Sequence, residues 1–321
     1  MKDNIIKQLE IIEKSNNWIR TSLDGQKAKA AYRDMVKCRR KLKKKKFALE
    51  GNPAAAMYGE SQVGKSYLIS SLLSEEGNTF CITSEDNDVH NFIEEINPPG
   101  GGSESTSLVS RFSVTFKPVN PKFPVKAVLL SPSDIVLVLC DSFYNDLNLK
   151  TNQNIHFISA EEIKSEIFEL VEKLKHRTPQ QFYFCEDDVL DMQDYFDEYF
   201  QKAYKVINSN FFEEISLIIS KATPDEWKNI FSLLWNKNEI FTNLFGELID
   251  QYQKLNFSTE VYLPIESVLY ANGTLLDVKR LREIFTEPDR IEPKYTPNTT
   301  LFLSKGNQVI DFKKSYLWGD R

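Results

Sequence analysis

Cysteine is scarce in this sequence, and the few cysteines present are widely separated. Cys38, Cys81, Cys140 and Cys185 include no CxxC pair in a chain of 321 residues. Such spacing excludes a zinc knuckle and gives no sign of a disulfide framework. The cysteines therefore favour reduced, buried thiols in a cytoplasmic protein.

Long apolar runs and an excess of basic charge are also missing. No run approaches the length of a bilayer span, and charges interrupt the apolar positions of residues 1–18, unlike the core of a signal peptide. The net charge is −6, which argues against a protein that coats nucleic acid. The local exception is the basic run KCRRKLKKKK at residues 37–46, which is most simply a solvated helix end.

The chain does contain enough apolar residues, 41% hydrophobic and 12% aromatic, to bury a sizeable core. Apolar spacing predicts a short amphipathic helix over residues 3–18 and a second helix over 26–48. Most of residues 160–257 is also predicted to be helical. The acidic cluster at 186–194 is expected to be a solvated helix start rather than a metal site.

A glycine pattern, GxxxxGKS, lies at residues 59–66 and predicts a phosphate-binding loop. Glycine permits backbone angles that turn successive amides inward, and a following helix supplies a positive dipole end. Lys65 is expected to reach the β- and γ-phosphates, and the Ser66 hydroxyl to ligate magnesium. The alternative is a glycine-rich turn with an incidental lysine. The predicted nucleotide-binding residues are Gly59, Glu60, Ser61, Gln62, Val63, Gly64, Lys65 and Ser66.

The flanking residues fit a strand, loop and helix order. Residues 54–58 are predicted to be a strand mainly from their position, because alanine is a poor strand former. Residues 66–76 predict a helix that ends near Gly77. Further along, 78–84 predicts a strand, and 107–119 with 123–131 predict an antiparallel hairpin. The predicted apolar face of the helix consists of Leu68, Ile69, Leu72 and Leu73.

The stretch at residues 131–147 has two interpretations. Its apolar run ends in Asp141, as in a Walker B strand whose acid holds magnesium. Ser131, Pro132 and Asp134, however, match a helix cap, a first-turn proline and a first-turn acid. That start signal favours a helix.

Phosphoryl transfer needs groups beyond the phosphate loop. For the acid near magnesium, the short apolar run before Asp277 favours that residue over Asp141, although Asp277 equally suits a helix cap. Thr106 and Ser110, in and after the loop at 97–106, are hydroxyls that can sense a γ-phosphate; loop hydroxyls also serve simply as turn formers. NKNE at 236–239 is similar to a guanine-selecting NKxD pattern, but it lies among helical segments and precedes Asp277. We interpret it as coincidence, so GTP and ATP both remain open.

Three stretches together resemble the SrfC-type putative bacterial virulence factor family: YGESQVGKSYLISSL, NPPGGGSESTSLVSRF and LLDVKRL. Members of that family look like P-loop, GTPase-like proteins and are usually much longer, which leaves open a missing carboxy-terminal portion here. The middle stretch also looks like a segment of dynamin-type GTPases, with Ser110 in place of a switch threonine that helps to hold magnesium. DVKR follows where the family's switch would have DxxG, so the resemblance supports nucleotide binding better than hydrolysis.

The predicted fold class is α/β, a P-loop NTPase-like core sheet with a helical N-terminal segment and a large helical insertion. The expected domains are a helical segment at 1–49, a nucleotide-binding core at 50–122 and 262–321, and a mainly helical insertion at 123–261. The favoured function is a magnesium-dependent NTPase, GTP ahead of ATP, coupled to a protein partner through the insertion. The alternatives are a non-catalytic nucleotide-gated binding protein and a dynamin-like protein whose basic residues 37–46 meet a membrane.

Overall fold

The computed structural model of the protein divides into two compact units, Met1–Met57 and Tyr58–Arg321. The residues it describes are 2–22, 25–50, 55, 57, 63–75, 78–83, 87–96, 112–113, 117–118, 120–123, 125–128, 130–146, 157–180, 184–200, 207, 209–254, 257, 260–263, 270–271 and 274–275.

The first unit contains two antiparallel helices, α1 (Lys2–Ser22) and α2 (Gly25–Glu50), which pack on each other. Both helices were predicted, and both extend a few residues beyond the predicted bounds. Ile5, Ile12 and Ile19 recur every seven residues on the buried side of α1, as expected for a helix that packs along one partner. Lys2 Nζ lies 3.4 Å from Glu50 Oε1, so the two ends of the chain segment meet.

The second unit is built mainly from helices. They are α3 (Lys65–Leu73), α4 (Pro132–Asp141), α5 (Ala160–Leu174), α6 (Glu186–Tyr199), α7 (Ser209–Ile218), α8 (Pro224–Ser232) and α9 (Glu239–Lys254). A π-helical turn spans Phe92–Ile96, a second follows α4 at Ser142–Asp146, and 3-10 turns follow α7 at Ile219–Lys221 and α8 at Leu233–Trp235. The strands are β1 (Cys81–Thr83), β2 (Val89–Asn91), β3 (Val125–Val128), β4 (Glu260–Leu263), β5 (Tyr270–Ala271) and β6 (Thr274–Leu275).

The predicted α/β class with a P-loop core sheet is wrong. The strands of the described residues form three separate antiparallel pairs, β1–β2, β3–β4 and β5–β6, whereas a P-loop sheet needs parallel neighbours joined by helices. Ala55 and Met57, within the strand predicted before the glycine pattern, are exposed and belong to no strand. The alanine-rich run lacks the branched side chains that stabilise a pleated strand.

Strand pairing also differs from the predicted hairpin of residues 107–119 with 123–131. β3 does form within the second of these segments, but it pairs with β4, so that Val125 lies opposite Leu263. Residues 107–111, 114–116 and 119 lie outside the described residues. A partner so distant along the chain leaves no local signal in the sequence.

The core of the second unit lies among α4–α9, where α4 packs against α6 and α9. The helix α4 is apolar on nearly every side, as expected for a helix surrounded by protein. Ser131 Oγ accepts a hydrogen bond from Asp134 N at 3.1 Å, and Asp134 Oδ2 accepts one from Ser131 N at 2.9 Å. This reciprocal cap fixes the helix start, and the predicted helix is confirmed.

Aromatic side chains fill much of this core. The Trp227 ring lies 5.0 Å from Phe184 and 5.5 Å from Phe257, centroid to centroid and edge to face. The Tyr252 hydroxyl donates to the Leu130 carbonyl, and burial raises its pKa. The prediction of buried thiols holds for Cys140 but is wrong for the other three cysteines, which are exposed. None of the helices within the described ranges is long and apolar enough to cross a membrane.

Candidate functional site

The predicted phosphate loop ends where α3 begins. Gly64 has φ 87° and ψ 15°, the left-handed region that glycine enters without strain. The helix begins at the next residue, Lys65, and Leu68 N donates to the Gly64 carbonyl at 3.0 Å. Glycine has no side chain with which to cap the helix, so no side-chain hydrogen bond caps the start of α3, where the positive end of the helix dipole lies.

The loop residues differ in how far the structure describes them. Gly59, Glu60, Ser61 and Gln62 lie outside the described residues. Val63 and Gly64 are exposed, and Lys65 and Ser66 are half-buried in the first turn of α3. The described half of the glycine pattern therefore joins an accessible bend to a helix start that carries a cation and a hydroxyl.

The buried side of α3 is not the apolar face that the sequence predicted. Leu68, Leu72 and Leu73 of the predicted buried face are exposed, Leu72 by 62%, while Ser70 is buried. The helix packs against the π-helical turn at Phe92–Ile96. Helical spacing correctly predicted the element, but it placed the buried side on the wrong residues.

Side-chain hydrogen bonds hold the π-helical turn to β2. Asn91 Oδ1 accepts from Ile93 N at 2.9 Å, and Glu95 Oε1 accepts from Asn91 N at 2.9 Å. His90 Nδ1 lies 2.9 Å from Glu95 Oε2. The hydrogen bond from His90, followed by that from Asn91 N, lowers the pKa of the Glu95 carboxyl. These contacts make the turn a fixed support for α3.

Two other parts of the chain meet the same turn. The Phe92 ring lies 5.6 Å from Phe80 and 5.1 Å from Phe112, and Phe80 lies 5.1 Å from Phe112, all edge to face. The strand β5 also packs against the turn and pairs with β6. The π-helical turn at Phe92–Ile96 therefore contacts α3, Phe112 and the β5–β6 pair.

The remaining predicted site residues are Thr106, Ser110 and Asp277. All three lie outside the described residues. Ser110 precedes Phe112 by two positions, and Asp277 follows Leu275, the last residue of β6, by two positions.

The alternative acid, Asp141, is not part of this arrangement. It is the last residue of α4 and is fully buried in the helical core, at 0% exposure. A Walker B strand is therefore the wrong interpretation of 131–147. Its pattern of apolar residues before an acid arises from a buried helix.

NKNE at 236–239 forms the turn between α8 and α9. Asn236 and Lys237 have φ 56° and 52°, and Asn236 Oδ1 accepts from Ile158 N at 2.7 Å. Asn238 Oδ1 accepts from Ile240 N at 3.1 Å at the start of α9. The pattern has a structural role in the helical core, consistent with its interpretation as coincidence.

The acids at the start of α6 likewise act locally. Asp188 Oδ2 accepts from Cys185 N at 2.8 Å, whereas Asp187 is buried rather than solvated as predicted. Burial raises the pKa of Asp188. Across the ranges that the structure describes, no three His, Cys, Asp or Glu side chains group as a metal site.

The sequence interpretation missed a charged centre at Glu226, the third residue of α8. Its carboxylate lies 2.7 Å from Arg177, which follows α5, and 2.8 Å from Lys173, which is within α5. It also accepts a hydrogen bond from Thr223 N at 2.9 Å. The available signal was the Thr-Pro-Asp-Glu start of α8, a capping box. The contacts with α5 involve residues far along the chain and had no such signal.

A groove of about 260 Å³ lies beside α8 and α9, lined in part by Asp225, Lys228, Glu247 and Asp250. Its volume is below the roughly 300–1,000 Å³ of most small-molecule sites, and its acids would repel phosphates. The groove does not suit a nucleotide.

A family model described as putative bacterial virulence factor matches residues 17–297. Neither a curated protein nor a solved structure matches the chain. The family match spans α3, the π-helical turn and all of the helical core.

Proposed function

The chain belongs to the putative bacterial virulence factor family, and we propose that it binds a nucleoside triphosphate with magnesium at residues 59–66. The observation that carries the proposal is the start of α3 at Lys65, directly after a left-handed Gly64, within a GxxxxGKS pattern. A glycine in this conformation lets the backbone turn its amides toward an anion at a helix start. The proposal rests on this loop and helix start and not on a core sheet.

Two side chains have distinct roles in this proposal. The Lys65 ammonium binds the β- and γ-phosphates as a point charge, and the Ser66 hydroxyl ligates magnesium. Ser66 suits the metal, because Mg²⁺ retains several waters and takes most remaining ligands from phosphate oxygens. Bound magnesium would neutralise phosphate charge, and Asp277 would be the acidic residue near the metal.

The π-helical turn supports a wider site. It packs against α3 and β5 and holds Phe112 through Phe92. Thr106 and Ser110 are the proposed sensors of the γ-phosphate, and Asp277 is the proposed acid near magnesium. In this proposal, nucleotide occupancy moves residues around the turn.

A protein partner at the helical core is the second part of the proposal. Phe168 on α5 and Ile240 on α9 are largely exposed, and a partner can cover such side chains. The widely spaced cysteines favour the cytoplasm as the compartment. Nucleotide state would then be communicated to the partner, with or without turnover.

Nucleotide binding to the full chain tests the proposal. Fluorescent GTP and ATP analogues are titrated at millimolar magnesium, with the wild type compared with Lys65→Ala and with Lys164→Ala, an exposed lysine of α5 as the matched control. We expect Lys65→Ala to weaken binding by about tenfold to a hundredfold, the range for a lost charge-assisted contact, and Lys164→Ala to bind normally. Failure of both nucleotides to bind, or equal binding by Lys65→Ala, would overturn the proposal.

Release of inorganic phosphate by the same proteins separates the two forms of the proposal. Turnover that requires Lys65 identifies an NTPase. Tight binding with no turnover identifies a nucleotide-gated binding protein, which the DVKR sequence in place of DxxG favours.

A further inference from the structure

Basic charge is concentrated in the helical hairpin α1–α2. Residues 1–57 contain 15 Lys and Arg against 6 Asp and Glu, a net charge of +9. Residues 58–321 contain 25 against 40, a net charge of −15. The overall value of −6 therefore conceals a strongly cationic segment, and an argument from net charge does not apply to this part of the chain.

The cations of α2 form a face. The side of the helix that contains Ala28, Tyr32, Met35 and Leu42 is half-buried, and Val36 is buried. Lys37, Lys41 and Lys45 are exposed and follow one another at intervals of four residues, so they lie on the opposite side of the helix. The rise of an α-helix places about 12 Å between the first and the last of them along the axis.

Nothing in the described hairpin neutralises these three lysines. Among the described residues, no ion pair involves Lys37, Lys41 or Lys45, although Lys2 and Lys46 both pair with Glu50. Like charges four residues apart repel and destabilise a helix. An anionic surface opposite the face would remove that repulsion.

Exposed apolar side chains accompany the cationic face. Leu49, in the last turn of α2, is 45% exposed and follows Lys45 by four residues, so it lies on the same side of the helix. Phe47 is 81% exposed but lies on the side of Val36. Apolar side chains beside lysines are typical of helices that lie in the headgroup region of a bilayer, where the apolar group enters the acyl boundary.

We propose that the hairpin α1–α2 binds an anionic phospholipid surface, with Lys37, Lys41 and Lys45 on the headgroups and Leu49 inserted beside them. Lysine is a flexible point charge suited to a surface of mobile anions, whereas nucleic-acid recognition favours the planar fork of arginine. An exposed leucine on the same side of the helix gains from an acyl layer and not from a phosphate backbone. These two features favour lipid over nucleic acid as the occupant.

Co-sedimentation of the full chain with vesicles tests the proposal. The vesicles contain phosphatidylcholine alone or phosphatidylcholine with phosphatidylserine, and the triple variant Lys37→Gln, Lys41→Gln, Lys45→Gln is compared with wild type. Each lysine near an anionic surface contributes about fivefold, so we expect the triple variant to bind phosphatidylserine vesicles roughly a hundredfold more weakly than wild type. Glutamine keeps the helix propensity of lysine, and circular dichroism verifies that the variant folds.

Two further variants sharpen the test. Lys117→Gln, Lys122→Gln, Lys164→Gln removes the same charge from exposed positions of the second unit and should bind like wild type. Leu49→Ala should weaken binding to phosphatidylserine vesicles by roughly tenfold, the effect of burying a leucine side chain in an apolar layer, and leave any binding to a duplex RNA probe unchanged. No sedimentation with anionic vesicles, equal sedimentation of the first triple variant, or tighter binding to the RNA than to the vesicles would overturn the proposal.

Discussion

Arg177 and Glu226 meet through two parallel contacts although 49 residues separate them in sequence. Arg177 Nη1 lies 2.7 Å from Glu226 Oε2, and Nη2 lies 3.2 Å from Oε1. The pair joins the residues after α5 to the first turn of α8, and the same carboxylate caps α8 through Thr223 N. Glu226 thus supports both a helix start and a tertiary contact.

Replacing this carboxylate should destabilise the second unit. Burial alone would raise the pKa of Glu226, but Lys173, Thr223 N and Arg177 lower it from 4.5 to about 2. A carboxyl whose pKa is lower in the folded protein stabilises the fold when the pH is above the pKa of the unfolded chain. This stabilisation is lost as the pH falls toward the pKa of the folded state. We expect Glu226→Gln to lower the free energy of unfolding at pH 7 by about 2 kcal/mol, measured by urea titration.

The difference between Glu226→Gln and wild type should shrink as the pH falls from about 5 to about 2, because protonation of the native carboxyl removes the same charge. Glu161→Gln, at an exposed position of α5, is the matched control and should stay close to wild type. If the difference in free energy of unfolding between the two proteins grows as the pH falls, the Glu226 carboxylate does not stabilise the fold through its charge.

Asn16 is a polar residue in an apolar seam. It is 5% exposed, lies between Ile12 and Ile19 on the buried side of α1, and neither its amide nitrogen nor its oxygen has a hydrogen-bond partner within the described residues. Asn16→Leu should therefore stabilise the hairpin by about 1–3 kcal/mol. Slower amide hydrogen exchange over α1 is the measurement. Asn17→Leu gains the same helix propensity at an exposed position and should show a smaller effect.

Gly64 and Gly25 form a natural pair for testing the phosphate loop. Both have positive φ, 87° and 75°, and a Cβ at either position meets nothing within 4 Å. Alanine at each therefore carries only the backbone cost, about 1 kcal/mol. We expect both variants to lose similar stability, but only Gly64→Ala should weaken nucleotide binding, by roughly fivefold. If Gly64→Ala and Gly25→Ala bind nucleotide with equal affinity, the left-handed conformation of Gly64 has no role in nucleotide binding.

The cap of α4 offers a test of the central helix. Ser131→Ala removes the acceptor for Asp134 N, whose hydrogen bond measures 3.1 Å. Loss of such a cap costs about 1 kcal/mol, and α4 packs against both α6 and α9, so the whole unit should unfold at a lower urea concentration. Ser165→Ala, at an exposed position inside α5, removes a hydroxyl without a cap and should have little effect.

Features that depend on a few neighbouring residues were predictable from the sequence. Apolar spacing indicated α1, α2 and α5, and Ser131, Pro132 and Asp134 indicated α4 as a helix despite its strand-like run of branched residues. In each case the sequence signal comes from residues within about two helical turns, although the helices are stabilised by packing on other elements.

Features that depend on distant contacts were not predictable in the same way. The pairing of Val125 with Leu263 and the approach of Arg177 to Glu226 join residues whose separation erases any local pattern. The predicted core sheet failed for a related reason. The glycine pattern describes only a bend and a helix start, and those were found at Gly64 and Lys65; the parallel strands were inferred by association with the motif.

The placement of the tryptophans makes the protein its own optical probe. Trp227 and Trp235 are wholly enclosed in the second unit, while Trp18 is largely exposed on the first. Emission from an enclosed indole lies at shorter wavelength and resists soluble quenchers, whereas an exposed indole responds to whatever covers it. The fourth tryptophan, Trp318, lies outside the described residues. In a Trp318→Phe background, with Trp18→Phe as the reference, the fluorescence of one unlabelled sample can report separately on contacts made by the hairpin and on unfolding of the helical core.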